Sequence, residues 1–378
     1  MAFDKIVNHP KKPKLMLVIL PKADTAIYNR VKYMGDVRKG IHTICVVASK
    51  FGKQTHDNNA QYFANVTLKF NLKLGGVNQS LDPPKLGLIS EGKTMVVGID
   101  VTHPSPGSAS NAPSVAGIVA SVDGKLGQWP ADVRIQASRQ EMVSSLDDML
   151  RLRLGLWRGK NNRLPENILV YRDGVSEGQY NIVLEQELPL LKKACSALYA
   201  PEDTKKGLPN ISIVVVGKRH HTRFYPTKTE DADRSSNPRN GTVVDRGVTE
   251  PRNWDLFLQA HAAIQGTARP AHYFILVDEI FRKRTTQAPF QNAADALEDL
   301  THNMCYLFGR ATKAVSICPP AYYADLVCER ARCYLSGVFG ATPMATPATS
   351  VVEGAQEQEV DANDVVIHQN LKDSMFYI

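Results

Sequence analysis

Short apolar runs alternate with longer amphipathic stretches along the whole chain, and the punctuation between them is Pro, Gly and Asp. In the first ninety residues, KLMLVILP and HTICVVAS read as buried strands, because apolar, β-branched runs of this length are too short for a helix. DTAIYNRVKYMGDV predicts a helix capped by Asp24, and AQYFANVTLKFNLKLGG a second one closed by Gly75 and Gly76. That β-α-β-α order predicts a small parallel sheet with helices on its faces. VNQSLDPPKLGLISEGK, with its Pro and Gly residues, reads as a linker.

From about residue 93 the pattern changes. MVVGIDVTH, SVAGIVASV and LGQWPADVRIQ are consecutive strand candidates, and VDGK between the last two carries the Asp-Gly hairpin signal. RQEMVSSLDDMLRLRLGLW has apolar residues at helical spacing. Then come the strand ILVYRD, the helix GQYNIVLEQELPLLKKACSALY and the strand ISIVVVGK. Three antiparallel strands followed by strand–helix alternation is the order of ribonuclease-H-like folds. Residues 229–241 and roughly 341–364 read as mobile polar loops, and helices over 291–308 and 321–335 complete the chain.

At 378 residues the chain accommodates two domains, divided here into 1–90 and 91–378. A hydrophobic content of 43% with 22% charged residues describes a globular protein and excludes a disordered one. No apolar stretch reaches membrane-spanning length, so no membrane partner is expected. The net charge of +7 is a mild basic excess that nucleic acid would suit. Six cysteines without a CxxC pair, and an N-terminus without an apolar signal core, point to reduced thiols in a cytoplasmic protein.

Three acidic residues then stand out. Asp100 and Asp173 directly follow the apolar runs MVVGI and ILVYR, and Asp325 lies in PAYYADLVCERARCYL. A carboxylate at the end of a buried strand is costly unless a cation or hydrogen bond compensates it. Converging, three would hold hard divalent ions, and paired Mg²⁺ ions catalyse in-line phosphodiester cleavage. Each alone reads equally as a turn former. Tyr28 and Lys32 are four apart on one predicted helix, as are Lys69 and Lys73 on the next. A ring and three ammonium groups suit a terminal phosphate and its base, although lysine pairs are common on wet helix faces. KRHHTRF (218–224) reads as a contact to a nucleic-acid backbone rather than a metal site.

GIDVTHP, YRDGVSEGQY, KRHHTRFYP, HAAIQGTARPAHY and PAYYADLVCERARCYL together resemble the PIWI domain of eukaryotic Argonaute proteins, and YNRVKYMGD with LKFNLKLGG resembles their MID domain. The resemblance covers nearly the whole chain in the family's order. It implies a Rossmann-like MID domain followed by a ribonuclease-H-like PIWI domain, an α/β architecture, with a fungal origin the expectation.

The resemblance also implies an acidic tetrad: Asp100, Asp173, the inserted Glu141 of SRQEMV, and Asp325 where many animal members carry His. Asp100, Asp173 and Asp325 would be the ligands of Mg²⁺, with Mn²⁺ as an alternative. Without the family match, Glu141 is an ordinary solvated glutamate in a first helical turn. The implied partners are a small guide RNA with a 5′-phosphate, held by Tyr28, Lys32, Lys69, Lys73 and Arg330, and a complementary target RNA. Scaffold proteins with tryptophan motifs are further implied partners. A family glutamine is replaced by Ile44, so the flanking Thr43 and Cys45 are expected to substitute, and the Ile378 carboxylate is expected near the pocket. The loop PKADTAIY lies where the family reads the first base.

The resulting expectation is a guide-RNA-binding, Mg²⁺-dependent endoribonuclease of RNA silencing. The alternatives are a guide-loaded silencer that recruits partners without cutting, and an unrelated ribonuclease-H-like transposase or resolvase.

Overall fold

A computed structural model describes residues 2–50, 56–201, 207–286, 288–339 and 360–378. The first unit is built on β1 (Leu15–Leu20) and β2 (His42–Val47), which pair in parallel with Leu15 beside His42. The connecting helix Thr25–Tyr33 starts where expected, with the Asp24 carboxylate accepting from Ile27 N at 2.9 Å. It runs into one wide π turn, Met34–Lys39, that ends on Gly40 at φ +61°. A Cβ there would lie 2.2 Å from His368 Nδ1, so only glycine permits the tail of the chain to dock. The second helix, His56–Lys73, is closed at Gly75, whose N–H returns to Leu72 O at 3.1 Å.

The segment expected as a linker is part of the core instead. Pro83–Glu91 forms 3₁₀ turns that bury Leu86, Leu88 and Ile89. Proline and glycine set its turns, but its apolar residues decide its place.

The large sheet has the order β5-β4-β3-β6-β7-β10-β9-β8. β3 (Thr94–Thr102), β4 (Ser114–Ala120) and β5 (Ala131–Gln136) are antiparallel; β6 (Asn167–Asp173) and β7 (Asn210–Gly217) join β3 in parallel. This is the ribonuclease-H-like arrangement expected. It is extended by β8 (Thr242–Val244), β9 (Asp255–Gln259) and β10 (Ala271–Asp278), which the hydrophobic pattern did not single out. The Asp-Gly hairpin is not tight: Ala120 and Ala131 are joined by a ten-residue connection. Burial of Trp129, whose Nε1 donates to Leu126 O at 2.8 Å, explains the extra length. Residues 229–241 form a compact turn that buries Asn237, while 340–359 lie outside the described residues.

One face of the sheet is covered by the helices Leu146–Asn161 and Leu188–Ser196, the other by Ala293–Met304 and Pro319–Tyr334. A π turn, Val183–Glu187, precedes Pro189, whose ring lacks an N–H and would clash in a regular turn. Met375, Phe376, Tyr377 and Ile378 are buried in the core, and no described helix is long and apolar enough to cross a membrane.

Candidate functional site

β3 and β6 run side by side with Ile99 opposite Arg172, so the next residues along, Asp100 inside β3 and Asp173 at the end of β6, are neighbours. Asp325 is delivered by the helix Pro319–Tyr334, which crosses β3 and β4 where each carries a glycine. A Cβ on Gly98 would lie 1.9 Å from Pro320 O, and one on Gly117 would lie 2.9 Å from Cys328 Sγ. Two missing side chains thus set how closely the helix approaches Asp100.

The three carboxyls perturb one another. Burial raises Asp173 to about 7, with the charges of Asp100 and Asp325 acting in the same direction. Asp325 is likewise raised to about 7, by burial and then by Asp100 and Glu329. Burial also raises Asp100, against the opposing pull of Arg172. Among the described residues, no three His, Cys, Asp or Glu side chains already close around a point at ligating distance. The donor set nevertheless fits a hard divalent cation: it is all oxygen, largely buried and mutually repelling, so a cation relieves the penalty that raises each pKa.

Glu141 stands in the connection before the helix, not in its first turn, because the helix begins only at Leu146. Buried Met142 and Val143 anchor that connection. The Glu141 carboxylate is 2.8 Å from His103 Nε2 and 2.9 Å from Arg172 Nη1. A Cβ on Gly174, at φ +85°, would lie 3.1 Å from Asp100 Oδ1 and 3.5 Å from Glu141 Oε1, so both carboxylates flank one point. Burial raises the Glu141 pKa, partly offset by Arg172 and His103.

A fully buried pair holds this arrangement. Arg172 donates to both Glu187 oxygens at 3.0 Å and to Glu141 O at 2.7 Å, and Glu187 accepts from Val143 N at 2.9 Å. Burial opposes the Arg172 charge, but Glu187, Glu141 and Asp100 more than compensate and raise its pKa. Sequence reasoning missed His103, Arg172 and Glu187. The signal available was a charged residue inside the apolar run ILVYRD.

The other predicted cluster lines a cavity of about 430 Å³ between the two units. Tyr28, Lys32, Cys45, Lys69, Arg330 and Ile378 all border it, and so does Ile44. Lys32 Nζ sits 5.2 Å from the Tyr28 ring centre and donates to Thr43 O at 2.7 Å. Thr43 therefore faces away from the cavity and holds Lys32. Lys73 is also behind the wall, its ammonium bonded to Phe376 O. Arg310 and Arg332, which no sequence pattern marked, complete the cationic lining, with Glu329 the carboxylate side chain among the lining residues.

Burial lowers Lys32 to about 8, with Arg330 acting in the same direction. Lys69 is also lowered to about 8, by burial and then by Arg310 and Arg330. Cations that repel one another in a half-closed cavity form a site for an anion.

The KRHHTRF stretch divides. Arg219 is exposed, and its charge reaches Asp100 and Asp325. His220 donates from Nε2 to Pro270 O at 2.9 Å.

Residues 15–336 match the Piwi domain model. The chain is 39% identical over 386 residues to protein argonaute MEL1 of Oryza sativa, covering 96% of this chain and 34% of that protein. It is 36% identical over 393 residues to protein argonaute 5 of Arabidopsis thaliana, covering 98% and 37%. The chain thus spans about a third of the length of these curated relatives. The C-terminal lobe of a budding yeast Argonaute superposes with a TM-score of 0.83 at 31% identity, covering 100% of this chain and 71% of that one. Kluyveromyces polysporus Argonaute with a guide RNA gives 0.82 at 32%, covering 100% and 43%. The MID–PIWI domains of N. crassa QDE-2 give 0.67 at 36%, covering 100% and 83%. With the ribonuclease-H-like sheet and these likenesses along its whole length, the chain belongs to the Argonaute family of Piwi-domain proteins and corresponds to their MID–PIWI lobe.

Proposed function

We propose that this chain is the guide-holding and target-cutting core of an RNA-silencing Argonaute, with residues 1–90 as its MID unit and 91–378 as its PIWI unit. The observation that carries the reading is the cavity in which Lys32, Lys69, Arg310, Arg330 and Arg332 meet beside the Tyr28 ring. A 5′-phosphate would add an anion to this cationic lining, and the ring would supply a stacking surface for the first base.

Cutting is supported by the acidic cluster where β3 and β6 adjoin. Asp100, Asp173 and Asp325 would hold Mg²⁺ or Mn²⁺, which when bound would activate water and neutralise charge on the leaving 3′-oxygen. Glu141 completes the constellation from its loop, held by His103 and Arg172. Arg172 and Glu187 act at one remove by fixing the loop. Arg219 is positioned to meet the phosphate backbone of a target strand, since its charge already reaches the cluster. A filled acidic set separates this reading from a silencer that only recruits partners.

The test uses a 5′-phosphorylated guide, a complementary target RNA and Mg²⁺. Target should be cleaved by the parent protein and left intact by Asp100→Ala, with guide binding preserved in both. Normal cutting by Asp100→Ala contradicts the acidic-site assignment, and indifference to the guide's phosphate contradicts the cavity assignment.

A further inference from the structure

We propose that Ser105 is a phosphorylation site for a proline-directed protein kinase, and that its phosphate blocks the Arg332 side of the cationic cavity. The proposal rests on the cavity being the guide-end site. Ser105 and the following Pro106 are both exposed in the loop between β3 and β4, where a kinase can reach them. Arg332 Nη2 donates to Ser105 Oγ at 3.0 Å. The same Arg332 lines the cavity beside Lys69 and Arg330. Arg332 therefore both contacts an exposed Ser-Pro pair and lines the anion site.

The neutral Ser105 hydroxyl gives the Arg332 guanidinium only a weak acceptor. A phosphate at the same place would bring about −1.5 to −2 charge at neutral pH and three strong acceptor oxygens. Arg–phosphate pairs are commonly bidentate, so the modified side chain would hold Arg332 more firmly than the hydroxyl does. Arg332 would then be neutralised for any incoming RNA phosphate, and the added anion would repel it. In the transfer step Ser105 Oγ forms the new bond to the γ-phosphorus of ATP. The bond from that phosphorus to its bridging oxygen breaks, ADP leaves with the oxygen, and the hydroxyl proton passes to a base of the kinase.

Ser105 is not one of the groups that hold RNA in the unmodified protein, so Ser105→Ala should bind RNA normally. The sequence holds two further candidate pairs, Thr342-Pro343 and Thr346-Pro347, outside the described residues, so the modified position must be mapped. The experiment treats the parent chain and Ser105→Ala with a proline-directed Ser/Thr kinase and ATP. Phosphorylation is mapped by mass spectrometry, and affinity is then titrated for 5′-phosphorylated and 5′-hydroxyl RNA at fixed salt. The expected result is phosphate on Ser105 and an affinity for 5′-phosphorylated RNA lowered by about tenfold, equivalent to losing one contact of about 1.4 kcal/mol. Treated Ser105→Ala should keep its affinity whatever happens at the two threonines. An unmodified Ser105, or a modified one with unchanged affinity, overturns the proposal. If the untreated protein fails to prefer the 5′-phosphate, the cavity reading itself fails, which is a distinguishable outcome.

Discussion

Arg330 Nη1 donates to Asp36 Oδ2 at 2.8 Å, joining the late helix to the π turn of the first unit through a pair buried from solvent. The same guanidinium donates to Phe376 O at 2.9 Å and Tyr377 O at 3.0 Å, and Tyr334 Oη donates to Asp36 at 2.8 Å. Three segments distant in sequence thus meet at one wall of the cavity. Asp36 supplies the compensating charge that lets a buried arginine remain poised for an anion.

Asp36→Ala should therefore cost about 3–5 kcal/mol, the usual penalty for stranding one partner of a buried ion pair. Urea unfolding checks this. A loss below about 1 kcal/mol, the range of surface pairs, would show that the backbone carbonyls alone satisfy Arg330.

The lysines give the cavity a pH dependence. Lys32 and Lys69 are held near 8, below the unfolded value of about 10.4. Between those values the folded chain binds fewer protons than the unfolded one, so this contribution to folding stability grows as pH rises. Phosphate binding runs the opposite way, because it needs the charged ammoniums. Affinity for 5′-phosphorylated RNA should fall as pH rises through about 8, and binding at that pH should take up protons. Titration calorimetry in two buffers of different ionisation enthalpy reads both effects; a flat profile from pH 7 to 9.5 would contradict them.

Glu187→Gln removes the charge that balances Arg172 and loosens the Glu141 loop through Val143. Cleavage should drop by about 10–100-fold, as for other supports of a metal site, with RNA affinity nearly unchanged. A parallel drop in RNA affinity would show general damage instead.

Gly98→Ala should displace the helix Pro319–Tyr334, because its Cβ falls on Pro320 O. The expected cost is about 1–3 kcal/mol or more, as in other overpacked cores, with loss of cutting as Asp325 shifts. Thermal denaturation and the cleavage assay check the two halves; wild-type values in both would show that the helix is not seated by this glycine.

What was legible in the sequence depended on the range of the interaction. β2, β3, β4, β6 and β7 announce themselves because each buries an apolar run, and the Asp24 cap is local chemistry; β1 also reads as a buried strand, but only its Leu20 is buried, while Leu17 and Ile19 are exposed. β9 and β10 were passed over although Leu256, Leu258, Ala271 and Tyr273 are buried, since DLFLQ is short and AHYFILVD has His272 and Asp278 within it. Leu86, Leu88 and Ile89 were hidden among turn residues that suggested a linker. Helical spacing paired Tyr28 with Lys32 and Lys69 with Lys73, and the family resemblance assigned all four to one pocket; Lys32 and Lys69 do line the cavity, while the fold turns Lys73 toward Phe376 O. Arg310 and Arg332 reach the cavity from helices and loops hundreds of residues away, and no local pattern encodes that.

The most direct measurement is a competition titration of this chain with two RNAs of identical sequence, one bearing a 5′-phosphate and the other a 5′-hydroxyl, at fixed salt. Charge-assisted contacts are worth on the order of 1.5–3 kcal/mol each, so even one gives a preference of about tenfold or more for the phosphate. Lys69→Ala should shrink that preference and Asp173→Ala should leave it intact. A clear preference with that pattern is the result predicted; equal affinity for the two RNAs would contradict the guide-end cavity and leave only a generic acidic nuclease site.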